Sequence, residues 1–157
     1  MFIRSKTVSQ KQYGYLVENA WTDKGTRQQV KRYLGRIYLI GDTPSIHLHE
    51  FTLQVLLEQL LTDLAAVKKK THYEVTQGTV IISIDLENNR VFSKKKDVVL
   101  GINEGYLCSH TVETLSTLCK TKKHSPELVA QIADAVVSAG IRLDQDSFVL
   151  FYQKNFM

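Results

Sequence analysis

Three sets of residues in this 157-residue chain are of types that hold metals or move protons. Asp85 and Glu87 stand two apart at the end of an apolar run, a spacing that turns two carboxylates to one face of a strand, where Mg²⁺ binds. Cys108, His110, Cys119 and His124 are zinc-type ligands, and His47, His49 and Glu50 form a second metal-type set. Spacing argues against each. The acidic pair leads into Asn88-Asn89, a turn where polar residues are expected, and has no obvious third carboxylate. The two cysteines lack paired short knuckles, and along a helix they lie about 15 Å apart, too far for one zinc or one disulfide. Cys119 falls on an apolar stripe with Val112 and Leu115, where a thiol acts as a small apolar side chain. His47 and His49 lead into a helix, and two ligands do not make a site. No nucleophile elbow and no phosphate loop occurs. The sequence therefore predicts no catalytic residue, no metal site and no cofactor.

Charge and aromatic residues support a different chemistry. Lys and Arg total 20 against 16 acids, a net charge of +4 with a pI near 9.0. Residues 1–41 carry Arg4, Lys6, Lys11, Lys24, Arg27, Lys31, Arg32 and Arg36 against only Glu18 and Asp23, a net of +6 that leaves −2 for residues 42–157. The same stretch holds Tyr13, Tyr15, Trp21, Tyr33 and Tyr38. Cations interleaved with rings suit nucleic acid, because cations neutralise phosphates and release counterions while rings stack on bases. The expected contacts are Arg4, Lys6, Arg27, Lys31, Arg32 and Arg36 to phosphates, with Tyr13, Tyr15 and Tyr33 stacking.

The elements that must position these residues are strands. Phe2–Val8 reads as a strand and Ser9–Gln12 as a polar turn; Tyr13–Val17 is a second strand, Thr22–Gly25 a second turn, and Arg27–Ile40 a third strand with a bulge or bend at Gly35. Simple alternation puts Arg27, Gln29, Lys31 and Tyr33 on one face and Arg32, Leu34 and Arg36 on the other. Beyond Asp42 the leucines at 53, 56, 57, 60, 61 and 64, with Val67, predict a helix over about His49 to Lys68 with Lys68-Lys69-Lys70 at its C-terminal end. Strands follow at Tyr73–Val75, which only starts one, at Thr79–Leu86, Val91–Ser93 and Val98–Ile102. A helix ends near Lys120 and another is capped by Ser125 and Pro126 and stopped at Gly140. A last strand is expected over Ser147–Tyr152. The order, βββ-α-βββ-αα-β with about three helices, predicts an α+β fold with mostly antiparallel sheet. It comprises a basic β subdomain over 1–41 and an α+β body over 42–157.

Composition excludes other classes. With 43% apolar and 23% charged residues the chain is globular and not disordered. No stretch of about 20 mostly apolar residues exists, so no membrane span is expected. The first residues lack the apolar segment and cleavage site of a signal peptide, and two cysteines make no disulfide framework, so a cytoplasmic location is expected.

The runs Met1-Phe2-Ile3-Arg4, Tyr13-Gly14-Tyr15-Leu16-Val17-Glu18 and Arg27-Gln28-Gln29-Val30-Lys31-Arg32-Tyr33-Leu34-Gly35 resemble the opening of some insertion-sequence (DDE-type) transposases. Those proteins begin with similar strands, a "YYYLVE"-like and an "R-Q-x-V-x-x-Y-L-G"-like segment. That resemblance covers about a quarter of the chain and implies a DNA- or RNA-contacting module without the catalytic core, for which too little chain follows Asp85. The order of elements, with Asn103-Glu104-Gly105-Tyr106-Leu107-Cys108, also resembles a group of small archaeal proteins without an assigned function. The expected function is non-enzymatic nucleic-acid binding through the basic N-terminal sheet. The alternative is a protein-interaction or assembly subunit that uses a sheet edge or the Leu53–Val67 helix.

Overall fold

The computed structural model describes residues 1–48, 52–121 and 125–156. Among these residues nine strands form one sheet: β1 (Phe2–Val8), β2 (Lys11–Thr22), β3 (Gly25–Gly41), β4 (Val67–Lys68), β5 (Tyr73–Gln77), β6 (Val80–Asp85), β7 (Arg90–Ser93), β8 (Lys96–Ile102) and β9 (Gly105–Leu107). Among the described residues four helices accompany it: α1 (Leu53–Asp63), α2 (Ser109–Lys120), α3 (Pro126–Ser138) and α4 (Gln145–Phe156). The strand order is β1-β2-β3-β8-β7-β6-β5-β4, with β9 also on β8. Every pairing between these strands is antiparallel except β3 with β8. The fold is α+β, as the element pattern predicts. Among the described residues no helix is long and apolar enough to cross a membrane.

The basic meander β1–β3 is continuous with the rest of the sheet, because Arg36 to Gly41 of β3 pair with Val98 to Ile102 of β8. The division at residue 41 is thus a boundary of charge and not a break in the sheet. The larger apolar cluster joins α1, α2 and α3 to the inward residues of β5–β9, with Leu56, Leu60, Ile82, Leu100 and Leu115 fully buried. A smaller cluster of Leu16, Leu34, Ile37, Val99 and Cys108 lies across the β3–β8 seam.

Three expectations need correction. The first helix runs only from Leu53 to Asp63, capped by Thr52, whose hydroxyl accepts the Val55 N–H at 3.2 Å. Ala65 adopts φ +56°, which ends the helix despite the leucine period, and Val67–Lys68 pair instead with β5. His49, Glu50 and Phe51 lie outside the described residues. Lys68-Lys69-Lys70 therefore follow the helix rather than cap it, and the Lys68 ammonium lies 5.9 Å from the Tyr73 ring. The leucine stripe packs inward: Leu56, Leu57, Leu60 and Leu61 are buried in the core, while Val55 stays exposed. Next, the middle of the chain holds six strands, since β4 and the short hairpin strand β9 join those expected.

The last strand, expected over Ser147–Tyr152, is instead the helix α4. Asp144 caps it: its carboxylate accepts the Ser147 N–H at 2.8 Å and its carbonyl the Phe148 N–H at 3.2 Å. Hydrogen bonds from Ser147, with His47 Nδ1 at 2.6 Å, hold the Asp144 carboxyl below its ordinary value. A depressed carboxyl stabilises the fold above its unfolded-state pKa, and that contribution is lost as pH falls through the depressed value. Asp144→Asn is accordingly expected to flatten the decline of Tm with acid below about pH 4. An acid decline as steep as in the parent protein would mean that the cap does not depend on an ionised carboxylate.

Candidate nucleic-acid interface

The N-terminal strands are joined by tight turns set by local chemistry. Ser9 and Gln10 both take left-handed conformations, φ +51° and +66°, as a two-residue hairpin loop requires. The β2–β3 turn closes on Thr22, whose hydroxyl donates to the Gly25 carbonyl at 2.7 Å. Between β2 and β3 the register slips twice, between Gly14 and Tyr15 and between Leu16 and Val17, so β3 carries two extra residues. One slip lies at Gly35, where a bulge or bend is expected from sequence. Gly35 adopts φ +123°, and a Cβ there would sit 2.1 Å from the Asp97 carbonyl oxygen of β8.

These bulges decide which side chains share a face, because residues paired across a ladder point the same way. Arg4 pairs with Tyr15, and Tyr15 with Tyr33; Lys6 pairs with Tyr13, and Tyr13 with Arg36. Six of the nine expected contact residues, Arg4, Lys6, Tyr13, Tyr15, Tyr33 and Arg36, thus lie on one face. The rings confirm it: Tyr33 is 5.3 Å from Tyr15 and 6.4 Å from Tyr13 between centroids, with tilted planes. Tyr33 is 54% exposed. Partial burial, with Tyr15 and Tyr13 beside it, pushes its phenol above the ordinary value. Arg36 stacks over Tyr38 at 4.9 Å, and Tyr38 packs on the larger core, so Arg36 marks the inner limit of the open face.

Arg27, Lys31 and Arg32 lie on the opposite face, and the simple alternation that groups Tyr33 with Lys31 is overturned by the bulges. Arg27 pairs with Ala20 and Arg32 with Leu16, whereas Lys31 reaches Glu18 at 3.3 Å and Gln29 at 3.3 Å. Among the described residues Lys31 is the only one of the six expected phosphate contacts with a carboxylate partner. Arg4 donates to Gln28 at 2.6 Å. Arg32 lies close enough to His110, at the start of α2, to join burial in lowering that imidazole's pKa. His110 lines a cleft of about 580 Å³ between β1 and the α2–α3 pair.

Lys11 is a contact that the sequence reading left out of the site. It pairs with Val8 and alternates with Tyr13 and Tyr15, which places it on the tyrosine face; its position right after the hairpin turn is the clue. Trp21, 87% exposed, pairs with Thr26 on the same side near the end of the hairpin. From Glu18 to Tyr33 every residue except the half-buried Ala20 is exposed, so the outer β2–β3 hairpin stands clear of the body as an arm.

The other chemistry-bearing sets do not assemble. Asp85 accepts the backbone N–H groups of Glu87 and Asn88, both at 3.0 Å, and the Asn88 side chain at 2.8 Å. Burial pushes its pKa up, but these bonds outweigh it and hold the carboxyl low as part of a turn. Cys108 is buried at the start of α2 and Cys119 half-buried, and burial raises both thiols. His124 lies outside the described residues, and among those described no three His, Cys, Asp or Glu side chains come together. Compared with known proteins, the chain matches no family model, no curated protein and no solved structure.

Proposed function

We propose that this protein binds nucleic acid, without chemistry on it, through the open face of β1–β3. One observation carries the reading. That face holds Arg4, Lys6, Lys11 and Arg36 around Tyr13, Tyr15 and Tyr33, and the acids of residues 1–41 lie elsewhere, Glu18 on the opposite face and Asp23 in the turn. A face with cations only raises the local concentration of polyanions and holds their phosphates, while the rings take up base surface. The transposase-like residues are these same strands, a resemblance of the same kind. The cytoplasm, where no disulfide is needed, is the proposed location. Arg27 and Arg32 face away and are not needed for binding.

Fluorescence anisotropy with random single- and double-stranded oligonucleotides tests the reading. Four phosphate contacts predict that log K falls against log salt with a slope of about −3 to −4. Absence of saturable binding at low salt overturns it.

The alternative, an assembly subunit, retains one supporting feature: the arm exposes Trp21 and Val30, and β1 is an edge strand. A salt-insensitive oligomer in light scattering, without nucleic-acid affinity, would favour it.

A further inference from the structure

We infer that the strand bound by the tyrosine face is single-stranded, a deepening that rests on the reading of this face as a nucleic-acid surface. Geometry separates the two forms of the polymer. Tyr13 and Tyr15 stand on β2, the middle of three strands, flanked by β1 and β3. Neighbouring strands are about 4.8 Å apart, so the outer two backbones lie about 10 Å from each other before side chains are added. A duplex major groove, about 12 Å wide, takes a helix or a two-stranded ribbon, and the minor groove is half as wide. The floor of neither can be lowered onto rings in the middle of a three-stranded sheet. A duplex also hides the faces of its bases and offers only their edges, whereas a single strand offers the faces.

The arrangement suits a splayed strand. The cross-strand pairs make two rows, Lys6–Tyr13–Arg36 and Arg4–Tyr15–Tyr33. Each row sets ring beside cation, and the rows lie two residues apart along β2. That is about 6.6 Å, roughly twice the 3.4 Å rise of stacked bases in a duplex strand. Bases held by successive rows must therefore be pulled out of their own stack, which costs least in a strand without a complement. The rings already pack on one another at 5.3 and 6.4 Å, so little side-chain freedom is lost on binding. Nothing on this face distinguishes ribose from deoxyribose, and the shared chemistry is an unpaired base with its phosphate.

The experiment uses the full chain and three labelled probes of one mixed sequence of about twelve nucleotides: single-stranded DNA, single-stranded RNA and duplex DNA. Expected is at least tenfold tighter binding of one or both single strands than of the duplex. Tyr33→Ala should weaken single-strand binding about tenfold, the value of one stacked base, and leave the salt slope and the duplex affinity unchanged. Tyr33→Phe keeps the ring and should bind as the parent does, and far-UV circular dichroism checks that both variants fold. Duplex binding as tight as single-strand binding, or a Tyr33→Ala protein with unchanged single-strand affinity, overturns the inference and leaves the nucleic-acid reading standing. Absence of binding to all three probes at low salt overturns the nucleic-acid reading itself. The DNA and RNA arms show which single strand is preferred.

Discussion

Gly35→Ala is expected to lower stability by about 4 kcal/mol, a shift of roughly 2 M in the urea midpoint. Two costs add. A residue with a Cβ is strained at φ +123°, which costs about 1–3 kcal/mol. The new methyl would also stand 2.1 Å from the Asp97 carbonyl oxygen and 2.8 Å from its carbon, backbone atoms that cannot rotate aside, and forcing them apart costs about 1–3 kcal/mol more. Gly25→Ala is the comparison, since its φ is +101° but nothing lies within 4 Å; it should lose only the strain. An equal midpoint for the two variants would show that contact with β8 at Gly35 is unimportant. Function should fall with stability, because the bulge puts Leu34 into the smaller core and Tyr33 on the open face. A one-residue slip there would exchange them.

A charge-reversed pair on the tyrosine face, Arg4→Glu with Lys6→Glu, is expected to weaken nucleic-acid binding about a hundredfold at 0.15 M salt. Each contact of a cation with phosphate contributes about 1.5 kcal/mol, so losing two costs about 3 kcal/mol, and the salt slope should fall by about two. The informative partner is Arg27→Glu with Arg32→Glu, on the other face. Both proteins have the same net charge, so attraction by the molecule as a whole changes equally, and at this salt charges beyond about 8 Å are screened. The second pair should bind within about threefold of the parent. Equal losses from both pairs would mean that the ligand does not choose the tyrosine face. All four residues are exposed, so folding should survive in each.

Much of this is legible in the sequence. The charge split at residue 41, the hairpin turns and the bulge at Gly35 all rest on local chemistry: turn-forming residues, glycine, and a period of two. The second bulge, beside Lys31, has no glycine to announce it, and one unannounced residue is enough to invert every face assigned beyond it. That is why structure, and not spacing, separates Arg27 and Lys31 from Tyr33 and brings Arg36 onto its face. Phe148-Val149-Leu150 is a short apolar run, which periodicity cannot divide between strand and helix, and in the fold it belongs to α4. Asp144 ahead of Ser147 was the better guide, since a capping carboxylate belongs to a helix start. Ala65 ends α1 against its leucine period by taking a left-handed φ of +56°, and Val67, the last position of that period, pairs with β5 and stays exposed.

The parallel seam between β3 and β8 is one of the long-range pairings that slow folding. It joins Arg36 to Val98, residues 62 positions apart, whereas the hairpins on either side close within local stretches. Pairings between distant residues must pay loop-closure entropy before they return any contact energy, so they form late and slowly. The β1–β2 and β2–β3 hairpins can close in microseconds, but two strands alone are marginal in water and gain a covering core only when Leu34, Ile37 and Val99 meet across the seam. A nascent chain therefore carries its cationic, ring-bearing hairpins for some time before the body that steadies them exists.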